Sequence, residues 1–363
     1  MSESKWDENS SSEYPLHNYS LEYAYLNLER SPEFKSVLFC LYSAVFCIAI
    51  VGNALVVSIV CRRRSMRSVT NYFLVNKALA DVLVVVFCVP VNVLQIAFTG
   101  WQLGAFMCKL TPYLQGVAVC ASVNTLAAIA LDRYFAICHT LVLKIDTRKS
   151  RLILLGIWVT AFAIMVPWLV FYQEVEYSNS KQVLYFCIEE WPRFTIQQAY
   201  YMGVIFFCCY TIPLAMIVVC YVLIGIKVWR RGALGERNSS TGVIQRSKVK
   251  VIKMLAVVCI LFAFSWLPLY GLKFWRMIQP EVDVNSQKIV SDIIFPVAQW
   301  LGSSNCCVNP LIYCFFSRKF RKGFKDLLTC CDGKVKYVSG SPEARQTMNT
   351  RWTSRSSHCQ CRV

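Results

Sequence analysis

Seven stretches of this chain contain no Asp, Glu, Lys or Arg: Ser36–Cys61, Val82–Met107, Leu110–Leu131, Leu152–Gln173, Phe194–Ile226, Met254–Leu272 and Ile293–Ser317. Each is about as long as the ~20 residues a helix needs to cross the hydrocarbon core of a bilayer. Asp81 interrupts the second span, whose helix is expected to begin near Asn71. One such helix could hide in the core of a large soluble protein, but seven in succession could not. Hydrophobic residues make up 56% of the chain and charged residues 16%, whereas soluble domains carry roughly a quarter charged. The fold class is therefore an all-α membrane protein, a bundle of seven transmembrane helices.

Lysine and arginine set the orientation, because they accumulate on the cytoplasmic side. Of the 38 basic residues, 26 fall in four segments: Cys61–Ser68, His139–Arg151, Trp229–Lys253 and the tail after Ser317. If the spans alternate, all four lie on one side. Acidic residues concentrate on the other side, before Ser36, in Gln173–Trp191 and in Glu281–Asp292. The amino terminus is expected outside and the carboxyl terminus inside, in the plasma membrane. The net charge of +17 suits an inner face beside anionic lipid. It does not suggest nucleic-acid binding, because the charge is spread over membrane-flanking loops.

Four regions follow. Residues 1–35 form an extracellular tail with glycosylation acceptors at Asn9 and Asn18. Residues 36–316 form the bundle. Residues 317–329 alternate basic side chains with Phe320, Phe324, Leu327 and Leu328, the pattern of an amphipathic helix lying on the membrane surface. Residues 330–363 form a polar cytoplasmic tail rich in serine and threonine, with Cys330 and Cys331 placed for juxtamembrane acylation. Cys108 and Cys187 are the two cysteines that face the oxidising side, so a disulfide between them is expected.

The polar residues inside the spans carry the functional signal, because ionisable groups are costly in a bilayer. "LDRY" places Asp132, Arg133 and Tyr134 at the inner end of span three, where Asp132 can pair with Arg133 and lower the cost of both charges. Asn53 lies in span one, Asn76 and Asp81 in span two, Trp158 in span four, and Pro213 and Tyr221 in span five. "FSWLP" supplies Trp266 and Pro268 in span six, and "NPLIY" supplies Asn309, Pro310 and Tyr313 in span seven. In this order and spacing the set resembles the rhodopsin-like family of G-protein-coupled receptors over roughly Ser36–Leu328.

The resemblance implies an activation switch. Arg133 would contact the G protein, held by Asp132 at rest. Tyr221 and Tyr313 would swing inward on activation. Trp266 would lie beneath the ligand pocket, and Pro268 would kink span six so that its inner end moves. A proline inside a helix does remove a hydrogen bond and bend the axis. Asp81, Ser122, Asn305 and Asn309 match a family sodium site, the one cofactor implied. Lys77 departs from the family pattern one helical turn from Asp81. It would either pair with Asp81 at i,i+4 and compete with sodium, or snorkel to the inner interface. Lys248 stands where some members place an acid that bridges to Arg133, and Ser265 where cysteine is common.

Two negatives narrow the ligand. Span three has Gln115 where amine receptors carry aspartate, and span seven has no lysine for a retinal Schiff base. The pocket candidates are neutral amides and aromatics: Asn92, Gln95, Thr111, Gln115, Trp266, Tyr270 and Gln299. Glu189 and Glu190 form an acidic mouth just after Cys187. Gln115 could bind a peptide's terminal amide with both donor and acceptor, or simply bond a neighbouring helix.

"CIEEWP", "SWLPL", "IFPVAQWLGSSNCCVNPLIYCFF" and "RKFRKGF" resemble neuropeptide FF receptors. "PYLQGVAV" and "ALDRYFAICHTL" resemble orexin and allatotropin receptors equally. In that group Gln115 matches a residue that holds an amidated carboxyl terminus, and Glu189 and Glu190 match acids that meet a peptide arginine. Gln299 replaces a frequent histidine, and Met277 a frequent acid. The resemblance thus implies an extracellular amidated neuropeptide, of Arg-Phe-amide type on the narrowest reading. The other partners it implies are a heterotrimeric G protein, and arrestin and receptor kinases at the tail. A non-peptide ligand is the alternative. A transporter or channel would show internal repeats and broken midplane helices, which are not visible. An enzyme is not expected, because the three histidines lie in two tails and an inner loop.

Overall fold

The computed structural model describes residues 31–139, 145–179, 182–233, 240–278 and 284–331. Span one is α1 (Pro32–Arg62), which starts ahead of the uncharged run because "SPEF" is a helix-start signal. Ser31 accepts from the Phe34 amide at 3.3 Å, and Pro32 occupies the first turn, where no amide donor is needed. Span two is α2 (Val69–Phe87) continued by α3 (Val89–Ala97). The break at Cys88 reflects Pro90, which cannot donate to the carbonyl four residues back. Span three is α4 (Gly104–Cys138), and span four is α5 (Thr147–Phe171), capped by Asp146 on the Lys149 amide at 2.7 Å.

Span five runs through α6 (Phe194–Ala199), a π-wound segment Tyr200–Thr211, and α7 (Ile212–Ala233). Span six is α8 (Ser240–Ile278), with Pro268 inside it. Span seven is α9 (Val284–Ile289), a π turn Val290–Ile294, and α10 (Phe295–Phe316). The surface helix is α11 (Arg318–Cys331).

Six helical stretches among the described residues are long and apolar enough to cross a membrane. The six correspond to spans one to six. Span seven is long enough but less apolar, because α10 carries Gln299, Ser303, Ser304, Asn305 and Asn309. Ser303, Asn305 and Asn309 are all buried, so its polarity faces the bundle and α10 packs between spans one and six. Charge-free length therefore identified a helix that apolarity alone would miss.

Span three is the central column and span four is the most peripheral. Leu152, Leu155, Val159, Phe162, Val166 and Val170 lie exposed along α5, as expected of a helix that faces lipid. Lipid tails provide no hydrophobic drive between helices, so close packing and buried polar bonds hold such bundles together. Asn53 donates to the Ala49 and Cys306 carbonyls, both at 2.9 Å, joining spans one and seven. Asn76 donates to Thr125 at 2.8 Å and accepts from the Trp158 indole at 2.8 Å, joining spans two, three and four.

Spans four and five are joined by an antiparallel hairpin, β1 (Tyr172–Asn179) and β2 (Gln182–Glu189), pairing Tyr172 with Glu189 and Glu174 with Cys187. The Cys108–Cys187 disulfide, with 5.5 Å between Cα atoms, fastens β2 to the start of span three. The Trp101 amide adds a 2.6 Å bond to the Tyr185 carbonyl. Gly100 makes that approach feasible. Its φ is +77°, and a Cβ there would lie 2.9 Å from the same carbonyl oxygen.

Candidate functional site

The polar residues of the bundle form three groups along its axis. The first lies at the hairpin end. Gln299 donates to the Gln115 carbonyl oxygen at 3.1 Å, linking spans seven and three. This is the helix-to-helix bond that the sequence left open as an alternative role for Gln115. Among the described residues the pair retains two unspent N–H donors on Gln115 and acceptor capacity on Gln299. One turn along span seven, Gly302 allows the Trp266 ring within 3.0 Å of where a Cβ would stand. Tyr270 stacks between Trp266 and Tyr210, with ring centroids at 6.2 and 4.8 Å. Asn92 and Thr111 are buried, and Asn92 Nδ2 and Thr111 Oγ1 have no hydrogen-bond partner among the described residues. Gln95, one turn beyond Asn92, is exposed.

Glu189 is more heavily committed than an open acidic mouth would be. Its Oε1 accepts from the hydroxyls of Tyr172 and Tyr201. Its Oε2 accepts from the Trp191 indole at 3.1 Å and from Gln197 at 3.4 Å. Burial, reinforced by the Glu189 charge, holds the Tyr172 hydroxyl protonated far above the ordinary tyrosine range, so it remains a donor. Lys273 Nζ lies 4.0 Å from Oε1 and sits over the rings of Trp168 (4.8 Å) and Tyr201 (5.0 Å). Glu190 is half-buried beside it, its amide bonded to the Phe171 carbonyl at 2.7 Å. Sequence reading overlooked Lys273. The available signal was its position three residues after Tyr270 and seven after Trp266, on the same helical face.

The second group lies mid-bundle. Asp81 is buried, and Asn309 donates to its Oδ2 at 2.8 Å. Lys77 Nζ lies 3.0 Å from its Oδ1, with 1% of the lysine side chain exposed. Of the two readings of Lys77, pairing holds and snorkelling to the interface does not. The ammonium also sits 5.5 Å from the Phe262 ring centroid on span six. Ser122 and Asn305 are buried, and the Asn305 backbone carbonyl accepts from Asn309 at 3.1 Å. The donor set is oxygen-rich, as a hard cation needs, but the ammonium already holds one carboxylate oxygen. A second cation on Asp81 would stand near it, and like charges about 4 Å apart repel by ~4 kcal/mol at an effective dielectric of ~20. The residues therefore do not fit a sodium ion.

The third group lies at the opposite end from the hairpin. Asp132, buried, accepts from Thr70 at 2.8 Å and from Arg133 Nε at 3.1 Å, and Arg133 also donates to Thr70. Arg133 is thus held by an acid and a hydroxyl, of which sequence reading identified only the acid. Tyr134 shares a 3.2 Å hydrogen bond with His139. Tyr221 is half-buried in α7. Tyr313 is buried, its hydroxyl has no hydrogen-bond partner among the described residues, and its ring lies 5.6 Å from Phe320 of α11. Pro268 lies in the hairpin-side half of α8, with Ser265 bonded to the Phe262 carbonyl at 3.0 Å.

Asn9, Asn18, the serine- and threonine-rich tail, and the side chains of Lys248, Cys330 and Cys331 lie outside the described residues.

Comparison with known proteins agrees with this architecture. The family model for the 7 transmembrane receptor (rhodopsin family) matches residues 52–313. Neuropeptide FF receptor 2 of Mus musculus is 36% identical over 360 residues, covering 93% of this chain and 85% of that protein. Neuropeptide FF receptor 1 of Homo sapiens is 35% identical, covering 78% of this chain and 68% of its own. The RYamide receptor of Drosophila melanogaster is 34% identical, covering 82% of this chain and 64% of that receptor. Its seven spans, disulfide-anchored hairpin and buried polar axis agree with these matches: the chain belongs to the rhodopsin family of seven-transmembrane receptors and is a multi-pass membrane protein.

Proposed function

We propose that the chain is a receptor for an amidated neuropeptide, which enters at the hairpin end and activates a heterotrimeric G protein at the opposite end. The observation that carries the ligand class is the Gln115–Gln299 pair above Trp266. Its free N–H groups and carbonyl complement another primary amide, which donates and accepts in the same plane. A free carboxylate offers no donor and would leave the Gln299 acceptor unpaired, which is costly in a desolvated site. The names of the relatives agree with a peptide ligand.

In this reading the hairpin end faces outside, with Asn9 and Asn18 glycosylated. The basic end faces the cytoplasm, with Cys330 and Cys331 acylated and the tail meeting receptor kinases and arrestin. Glu189 takes a ligand arginine by exchange, the guanidinium replacing Lys273 as its ion partner, with Glu190 alongside. Asn92 and Thr111 supply further polar contacts, and Gln95 lies at the rim. Agonist shifts the population because it binds the active arrangement better than the resting one. Span six then moves about Pro268, Arg133 leaves Asp132 and Thr70, and Tyr221 and Tyr313 turn inward.

The test is a screen of synthetic amidated peptides on cells expressing the chain, repeated with Gln115→Ala. The substitution should weaken an amidated peptide about tenfold more than its free-acid form. Equal losses would remove amide recognition. Arg133→Ala should abolish the response while surface expression persists, and an unchanged response would take Arg133 out of the switch.

A further inference from the structure

The ion pair between Lys77 and Asp81 is unusual for a membrane-spanning helix, because both members are buried and both come from the same face of span two. Their spacing, i and i+4, lets the lysine stem lie along the helix and deliver the ammonium to the carboxylate without distorting the backbone. Two further contacts fix its surroundings. Asn309 of span seven takes the other carboxylate oxygen at 2.8 Å, and the Phe262 ring of span six faces the ammonium at 5.5 Å. Lys77 is therefore not stranded. It has a counter-ion and a π face, and 1% of its side chain is exposed.

We infer that Lys77 is a tethered cation: its ammonium permanently holds the carboxylate that a free monovalent cation would otherwise bind, and makes the receptor insensitive to sodium. The local charge balances without an ion. One carboxylate meets one ammonium, and the nearby partners Asn309 and Phe262 are neutral. A free sodium ion would have to enter a buried site that already holds a positive charge, and Lys77 could not withdraw without leaving its counter-ion. Tethering also makes the cation's local concentration independent of the medium, so the pair cannot be titrated away by dilution as a bound ion can. Phe262 lies one turn from Trp266, so the same ammonium also braces span six against span two in this arrangement.

The experiment uses the full chain purified in detergent and needs neither peptide nor G protein, so it stands apart from the ligand reading. Thermal midpoints are measured in sodium chloride and in choline chloride at equal ionic strength. The wild type should melt at the same temperature in both. Lys77→Leu exposes Asp81 to solution cations. It should melt lower in choline and recover several degrees in sodium with a saturable dependence, and Lys77→Leu/Asp81→Asn should lose that recovery. A sodium-specific rise in the wild-type midpoint overturns the inference. So does a folded Lys77→Leu that is indifferent to sodium. If Lys77→Leu does not fold, Lys77→Gln replaces it with the same two outcomes, and the wild-type comparison decides by itself.

Discussion

Lys77 and Asp81 lie 3.0 Å apart with 1% and 3% of their side chains exposed, whereas Lys273 and Glu189 lie 4.0 Å apart with 23% and 17% exposed. The two carboxylates also differ in their other partners. Asp81 has Asn309 and the Cys306 thiol, while Glu189 has two tyrosine hydroxyls, an indole and a glutamine amide. A carboxylate offers about four acceptor directions, so Glu189 is nearly satisfied before Lys273 is counted. Asp81 is not. In the buried middle of the bundle the lysine is the one charge that balances its acid among the described residues. At the hairpin end the lysine stands 4.0 Å from an acid that four neutral donors already meet, and in the proposed reading a ligand cation displaces it.

The largest effect should come from breaking the inner pair on one side. Asp81→Ala leaves a buried ammonium uncompensated, which typically costs ~3–5 kcal/mol, and should lower the thermal midpoint and surface expression sharply. Replacing both partners together, Lys77→Met with Asp81→Leu, should recover most of that loss, because apolar pairs of similar volume commonly substitute for buried ion pairs. Failure of the double variant to recover would mean the acid is needed for more than its lysine.

Glu189→Gln comes next. It removes the charge that four donors and one cation address, and it should lower affinity for a cationic amidated peptide about tenfold, read by competition binding. The smallest effect belongs to Lys273→Met. Because Glu189 keeps its four neutral donors, stability should change by less than ~1 kcal/mol. Affinity for a cationic peptide should rise a few-fold as a competitor is removed. A fall in affinity would show that Lys273 itself touches the ligand, and would make the two lysines more alike than their surroundings suggest.

Helical spacing already held part of this contrast. Lys77 and Asp81 are separated by four residues, so a pair between them was legible in the chain, and only its depth was undetermined. The Glu189–Lys273 pair was not legible, because its members are 84 positions apart and meet only through the hairpin register and the Cys108–Cys187 tether. Thr70 escaped notice for the same reason: nothing local ties it to Asp132, 62 residues away. Gln115 and Gln299 were each visible as polar residues in apolar spans, but their contact with one another was not.

The sequence by itself determined the class of molecule. Charge-free runs fix how many helices can cross a bilayer, basic loops set the expected sidedness, and i,i+4 spacing fixes which residues of one helix can meet. The tertiary structure decided which helices face each other, and hence that the Lys77–Asp81 pair is buried, that Glu189 is enclosed by donors, and that Arg133 is held by Thr70 as well as Asp132. The physical reason is that periodicity assigns a residue to a face within its own helix, while partners across the bundle depend on helix packing and rotation, which local spacing does not encode.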